Sequence, residues 1–366
     1  MRAAVLNEVN KPMSIEELER PRPKAGEVLV RVASCGVCHT DLHVMKGEVK
    51  FPTPCVLGHE ISGVVEEVGA GVEGIQVGDR VVCPFIMPCG SCYYCMRGRD
   101  DLCEKFFALN RLQGKLYDGD TRLFRKDGSR VWMYSMGGLA ELSVVPATAV
   151  FKLPDNMPLH EAATLGCAVF TAYGAVKNQA DLRAGESVAV VAVGGVGLNI
   201  IQWAKTFGAS EIIAIDVRDD KLANARELGA THVINSRKTN PVDEVMRITD
   251  NRGVDVAFEA LGRPETVAQA VNIVGDGGRA VVVGIAPIGV SASIEITRLV
   301  RRGIRLIGSY GARTRADMPT ILKLTSKGAV DLAKSVTRRY KLEQVNEAYD
   351  ALNRGEIVGR AIIETD

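Results

Sequence analysis

The chain has 366 residues, of which 46% are hydrophobic and 24% charged, with 45 Lys and Arg against 44 Asp and Glu. That length calls for two domains at about 150 residues each, and the composition excludes global disorder. A net charge of +1 gives no long-range pull toward nucleic acid or an anionic membrane. No run reaches the ~18 apolar residues a membrane span needs. The start, Met1-Arg2-Ala3-Ala4-Val5-Leu6-Asn7-Glu8, lacks the pattern of a signal peptide. The nine cysteines are an odd count, which argues against a fully paired disulfide framework. A reducing, cytoplasmic location is the default, and there cysteines bind metal or react more often than they bridge.

The first 150 or so residues are rich in Gly, Pro and Cys. Short runs such as Glu27-Val28-Leu29-Val30-Arg31-Val32 and Gly63-Val64-Val65-Glu66-Glu67-Val68 read as strands between functional loops. From about Thr171 the texture changes. A strand at 187–191 meets a glycine-rich turn and a helix running to Phe207. Strands then fall at 211–216, 233–234, 254–259, 279–284 and 304–307, with helices at 219–228, 241–249 and 264–274. Six strands alternating with helices predict a doubly wound parallel sheet. The tail holds helices at 318–327 and 343–353 and a last strand at 361–363. It is too short to stand alone and is expected to return to the first domain.

Cys89, Cys92, Cys95 and Cys103 follow C-x2-C-x2-C-x7-C. Four thiolates at this spacing close a tetrahedron around Zn2+ with no open position, a structural site. An iron–sulfur cluster is the competing reading, since it also takes four cysteines. A second set lies in Gly36-Val37-Cys38-His39-Thr40-Asp41 and Gly58-His59-Glu60, with Cys167 a third donor far along the chain. Two thiolates and an imidazole leave a fourth position for water or substrate, as a catalytic zinc requires.

With Gly63, Gly69 and Val72 completing the pattern begun at Gly58-His59-Glu60, the sequence resembles the zinc-dependent medium-chain alcohol dehydrogenases over essentially its whole length. The resemblance implies a mainly β GroES-like catalytic domain (1–167 and 310–366) and a Rossmann NAD(P)-binding domain (168–309). It implies two Zn2+ per subunit. Cys38, His59 and Cys167 would hold the catalytic one, with Glu60 beside it and Asp41 orienting His59.

Ala192-Val193-Gly194-Gly195-Val196-Gly197 follows a strand and opens a helix, the setting of a pyrophosphate loop. The first glycine of that pattern is Ala192 here. Asp216, at the end of the second strand of this domain, suits the ribose hydroxyls and favours NAD, whereas the neighbouring Arg218 leaves NADP open. By resemblance, Lys221 and Arg263 flank the adenosine, Arg360 reaches the pyrophosphate, His39 contacts the cofactor, and Thr171, Val196, Gly284 and Ile285 line the nicotinamide. Thr40 matches the hydroxyl that hydrogen-bonds the substrate oxygen, His43 the proton-relay histidine and Phe85 a pocket wall. Cys35, Cys55 and Cys83 read as buried small hydrophobes. His160 and His232 read as structural.

The expected reaction is reversible hydride transfer between an alcohol or aldehyde and NAD(P)(H). Small molecules are the expected partners, with no nucleic acid and no membrane, in a homodimer or homotetramer. The zinc-free quinone or enoyl reductases of the same superfamily usually lack the Cys38–His59–Cys167 set. A zinc-ribbon nucleic-acid binder calls for a basic surface, and a catalytically silent relative would not need the full set of donors. Residues 104–136 form an insertion, read as a solvated loop near the substrate entrance or a subunit interface. If Arg111 or Lys115 pairs with a substrate carboxylate, the alternative is an NADPH-dependent reductase of a carboxylated aldehyde such as succinic semialdehyde.

Overall fold

The centre of the first sheet is the strand Glu27–Gly36, in which only Arg31 is exposed. Its apolar, β-branched run suits a strand covered on both faces. It pairs antiparallel with Ile61–Val68, Leu142–Pro146 and Arg360–Glu364. The seven-stranded sheet is completed by Arg80–Cys83, Phe151–Lys152 and Val336–Lys341. A second sheet has five strands, Arg2–Leu6, Ser14–Glu17, Cys55–Val56, Leu123–Phe124 and Arg130–Met133. The computed structural model describes residues 1–365. It divides into one compact unit of Met1–Phe170, Arg313–Lys327 and the described residues from Leu332, and another of Thr171–Ala312 and Gly328–Asp331.

The tail returns to the first unit through its last strand. Ile362 faces Gly36, Ile363 faces Cys35 and Glu364 faces Ser34. The strand Val336–Lys341 runs parallel beside it.

The second unit is built on six parallel strands. In spatial order they are His232–Asn235, Glu211–Asp216, Ser187–Val191, Val254–Glu259, Val274–Val282 and Arg305–Gly308. Counted along the chain this is the order 3-2-1-4-5-6 of a doubly wound dinucleotide-binding sheet. Its core includes Ala189, Val191, Ile213, Ile215, Val254 and Ala257, all buried. The helices Gly195–Thr206, Asp219–Glu227, Pro241–Ile248 and Pro264–Ile273 lie between successive strands. No helix among the described residues is long and apolar enough to cross a membrane.

The insertion at 104–136 is not a solvated loop. Phe106, Leu116, Leu123, Val131, Met133, Tyr134 and Met136 are all buried. The strand Arg130–Met133 pairs in parallel with Cys55–Val56, and the π-helix Phe106–Arg111 precedes it. Arg122 anchors the segment. Its guanidinium donates to Glu27 Oε2 at 2.9 Å and Oε1 at 2.5 Å and lies 3.0 Å from Asp118. Both Arg122 and Glu27 are buried. Removing one partner of such a pair strands the other charge, at a cost of about 3 kcal/mol or more. Arg122→Ala is therefore expected to lower unfolding stability by about 3 kcal/mol in denaturant titration, with Arg122→Met nearly as costly because Glu27 is still left without a cation. A loss within the ordinary surface range of about 0.5 kcal/mol would contradict this anchoring role.

Candidate metal and dinucleotide sites

The ends of three strands and one short turn assemble the first site. Antiparallel pairing sets Cys35 opposite Ile61 and Ile61 opposite Cys83. Cys38 therefore follows the end of one strand just where His59 and Glu60 lead into its neighbour. Phe85, just beyond the third strand, donates its backbone N–H to the Gly166 carbonyl at 2.9 Å, bringing in Cys167. Gly36 leaves room for Glu60, since a Cβ there would come within 2.2 Å of the Glu60 carboxyl carbon. One donor atom each from Cys38, His59, Glu60 and Cys167 lies within 4.8 Å of the others, and all four residues are buried.

Asp41 fixes the tautomer of His59. A carboxylate only accepts, so His59 Nδ1 carries the proton, donated to Asp41 Oδ1 at 3.1 Å, and Nε2 is left as a donor atom for a metal. Burial alone would lower the His59 pKa, but the charges of Asp41 and Cys38 raise it to about 10. A hydrogen bond from Cys167 holds the Cys38 thiol well below its ordinary range, with Arg360 and His59 adding to the effect against burial. The same contact, with burial, pushes Cys167 well up. Burial pushes Glu60 up to about 7, against the pull of Arg360.

These groups fit a divalent cation. Two buried thiols, Cys38 and Cys167, lie in hydrogen-bond contact beside the His59 imidazole. Both Glu60 oxygens are fully buried without a hydrogen bond, although Arg360 Nη2 lies 2.9 Å from Oε1. A dication among the donors would displace the protons and give the buried charges a partner. Soft thiolates with one imidazole select zinc over calcium or magnesium. Arg360 itself is buried at the start of the last strand and also donates to the Val37 carbonyl at 3.3 Å.

Thr40 is half-buried, with its hydroxyl 3.5 Å from Cys38 Sγ. His43 contacts Glu48 through Nδ1, and His39 is exposed at the start of the same helix. Phe85 meets the His59 ring edge-on at 5.9 Å and Phe170 at 5.9 Å. Tyr134, from the insertion, lies edge-on to His59 at 6.3 Å, with the Arg111 guanidinium 4.2 Å above its ring. Lys115 instead lies over Trp132. Cys35, Cys55 and Cys83 are buried, and burial raises the pKa of each.

The second cluster sits in a polar lobe. Donor atoms of Cys89, Cys92, Cys95 and Cys103 also lie within 4.8 Å of one another. The Cys89 backbone N–H donates to Cys103 Sγ at 3.2 Å. Backbone N–H groups near Cys95 and Glu104 bring Cys92 down to about 6 despite its desolvation. Arg315 holds the lobe from the tail, donating to the Cys95 carbonyl at 2.8 Å and to both Asp100 oxygens. Nothing in the sequence motifs singled out Arg315 or Tyr134, because neither belongs to a spaced pattern.

In the second unit, the glycine loop, Asp216 and Gly284 follow the carboxyl ends of parallel strands, where such sheets bind ligands. The turn after Ser187–Val191 leads through Ala192 and Gly194 into the helix Gly195–Thr206, which carries Val196 and Gly197. Gly197 packs against the Ala192 carbonyl, where a Cβ would come within 2.1 Å. Asp216 accepts from the backbone N–H groups of Val193 at 3.0 Å, Val217 at 2.8 Å and Arg218 at 3.2 Å. The following helix has its N-cap at Arg218. Arg218 is ion-paired with Asp220, and Lys221 is half-buried in the same helix. Arg263 is exposed at the N-cap of Pro264–Ile273. Gly284 lies against Gly262, where a Cβ would come within 2.0 Å of its nitrogen, and Ile285 follows. Thr171 is buried in the helix Ala168–Tyr173.

Comparison with known proteins agrees with this architecture. An "Alcohol dehydrogenase GroES-like domain" model matches residues 24–155, and a "Zinc-binding dehydrogenase" model matches 195–327. The chain is 36% identical to the NDMA-dependent alcohol dehydrogenase of Amycolatopsis methanolica, covering 100% of this chain and 99% of that protein. It is also 36% identical to the S-(hydroxymethyl)glutathione dehydrogenase of Komagataella pastoris, covering 99% and 97%. The crystal structure of benzyl alcohol dehydrogenase from Acinetobacter calcoaceticus superposes with a TM-score of 0.93 at 31% identity, covering 100% of this chain and 99% of that one. The chain belongs to the zinc-dependent medium-chain alcohol dehydrogenase family, with a GroES-like domain and a Rossmann-like parallel sheet.

The glycine loop carries one irregularity. Ala192 has φ 71°, the left-handed region, where a Cβ costs about 1–2 kcal/mol. Part of that cost returns as chain entropy when glycine replaces alanine, leaving a net gain of about 0.5–1 kcal/mol. Ala192→Gly is expected to raise the melting temperature. An unchanged or lower value would show that the loop accommodates the methyl group without strain.

Proposed function

We propose that the protein is a zinc-dependent NAD(P)(H) alcohol dehydrogenase and aldehyde reductase. The observation that carries this reading is the buried set of Cys38, His59, Glu60 and Cys167 with an orienting Asp41, in a chain related to alcohol dehydrogenases along its length. Cys38, His59 and Cys167 would hold the catalytic zinc, and Cys89, Cys92, Cys95 and Cys103 a structural one. When bound, zinc would supply Lewis-acid polarisation of the substrate oxygen, and a nicotinamide would supply or take up the hydride.

The chain's own residues do the rest. Thr40 holds a proton at the substrate oxygen. His43, half-buried on the same helix, passes it toward solvent. Phe85 and Tyr134 keep apolar faces toward the substrate and exclude water. In the second unit, the glycine loop offers backbone N–H groups to a pyrophosphate. Asp216 retains acceptor capacity for ribose hydroxyls, and the pairing of Arg218 with Asp220 favours NAD over NADP.

The nine free thiols fit a reducing, cytoplasmic setting. A homodimer or homotetramer is supported by the open edge strand Arg305–Gly308, with Leu306 exposed, and by the helix Ile296–Arg302, which buries none of its residues.

Metal analysis of the purified protein is expected to find about two zinc per chain. Cys38→Ser should lose one of them and reduce alcohol oxidation by at least about a hundredfold, since Lewis-acid catalysis supplies several kcal/mol. The assay is a panel of alcohols and aldehydes with NAD, NADP and NDMA, the last because one relative depends on it. Full activity with a single zinc would overturn the catalytic assignment.

Arg111 favours a second reading, specialisation for a carboxylated aldehyde such as succinic semialdehyde. Its guanidinium stacks on Tyr134, whose ring lies edge-on to His59 at 6.3 Å. A charge-assisted hydrogen bond to a substrate carboxylate contributes about 1.5–3 kcal/mol. Arg111→Ala should therefore raise KM by roughly tenfold or more for carboxylated aldehydes and leave neutral ones unchanged. An equal effect on benzaldehyde would reject this specialisation.

A further inference from the structure

One buried hydroxyl next to the metal ligands has no place in the mechanism above. Tyr349 lies in the tail helix Val345–Asn353 and is buried. Its hydroxyl donates to Asp41 Oδ2 at 3.1 Å, across 308 positions of sequence. Asp41 is itself fully buried, and its other oxygen accepts from His59 Nδ1 and from the Gly58 backbone N–H, each at 3.1 Å.

We propose that Tyr349 is a positioning residue for the catalytic metal, setting the plane of the His59 imidazole through Asp41. The proposal rests on the reading of Cys38, His59 and Cys167 as that metal's ligands. Tyr349 is the side-chain donor to Oδ2, while both contacts on Oδ1 come from the His59 loop. Without Tyr349 a fully buried carboxylate oxygen loses its partner, which is costly, and the carboxylate gains a reason to rotate. Any rotation about the Asp41 side chain tilts the imidazole, because the Nδ1 bond moves with Oδ1. Metal-bound histidines depend on such outer partners for ring orientation and basicity.

The helix that presents Tyr349 is itself fixed. Asn346 accepts from the Met13 backbone N–H and donates to the Met13 carbonyl, both at 2.9 Å. Lys46, at the end of the Asp41 helix, donates to Asn353 at 2.6 Å. The Tyr349 hydroxyl is thus delivered from a rigid support. A packing role would need only the aromatic ring.

The test uses the zinc-loaded full-length protein and the variants Tyr349→Phe and Tyr349→Leu. Zinc release to a chelator is followed with time, together with the visible absorption of protein carrying Co2+ at the same site. Tyr349→Phe keeps the ring and removes only the hydroxyl. It is expected to speed loss of the catalytic zinc by on the order of tenfold, to shift the cobalt bands, and to leave release from the four-cysteine site unchanged. If Tyr349→Phe matches the parent protein in both readouts, the proposal is wrong. It is equally wrong if only Tyr349→Leu speeds zinc loss, because that outcome assigns the side chain to packing. Cys38→Ser, run in parallel, separates the two levels. If it retains the full metal content of the parent, the ligand assignment fails. If it loses one zinc while Tyr349→Phe behaves as the parent, only the role of Tyr349 fails.

Discussion

The antiparallel register between Glu27–Gly36 and Ile61–Val68 is the constraint on which the first site depends. It places the end of one strand beside the start of the next, so Cys38 meets His59 and Glu60 without any long excursion of backbone. The same sheet then receives Arg80–Cys83 on one side of this pair and Arg360–Glu364 on the other. Phe85 follows the first of these strands, and Arg360 opens the second. A one-residue slip in a strand would turn its side chains to the opposite face and disperse the set.

This arrangement carries an electrostatic burden. Two thiols, an imidazole and two carboxylates lie together out of water. Asp41 is satisfied by three hydrogen bonds, whereas Glu60 has only the nearby Arg360 charge. The site therefore separates into a saturated outer carboxylate, which holds geometry, and an unsaturated inner group that leaves room for a cation. The dinucleotide loop follows a different logic. There backbone N–H groups and close glycine contacts shape the loop, and the charged side chains stand around it, at Asp216, in the helix that follows it and at Arg263.

Much of this was legible in the sequence because the information is local. The four-cysteine spacing, the Gly58-His59-Glu60 turn and the alternation of strands with helices each lie within a few dozen residues. The six parallel strands follow from hydrophobic runs bounded by turns. The packing of the insertion was not legible. Its decisive contact joins Arg122 to Glu27 across 95 positions, and its charged hairpin residues resemble those of a solvated loop. The strand Val336–Lys341 also escaped the pattern, since Thr337-Arg338-Arg339-Tyr340-Lys341 shows no apolar face and the strand is largely exposed. Tyr349 occupies an ordinary apolar position of an amphipathic helix, and only the fold brings its hydroxyl to Asp41.

The return of the tail to the central sheet has a consequence for how the protein is made. On a ribosome, Cys38 and His59 emerge long before Arg360 and the strand that seats it. Until then the Gly36 edge of the sheet lacks a neighbour and Glu60 has no facing cation. The site that looks local in sequence is finished only by one of the most distant contacts in the chain, and such contacts form slowly because their loops are long. Nascent chains must therefore shelter an open sheet edge and a half-built ligand cluster throughout translation of the second unit, and this interval is when they are most exposed to misassociation.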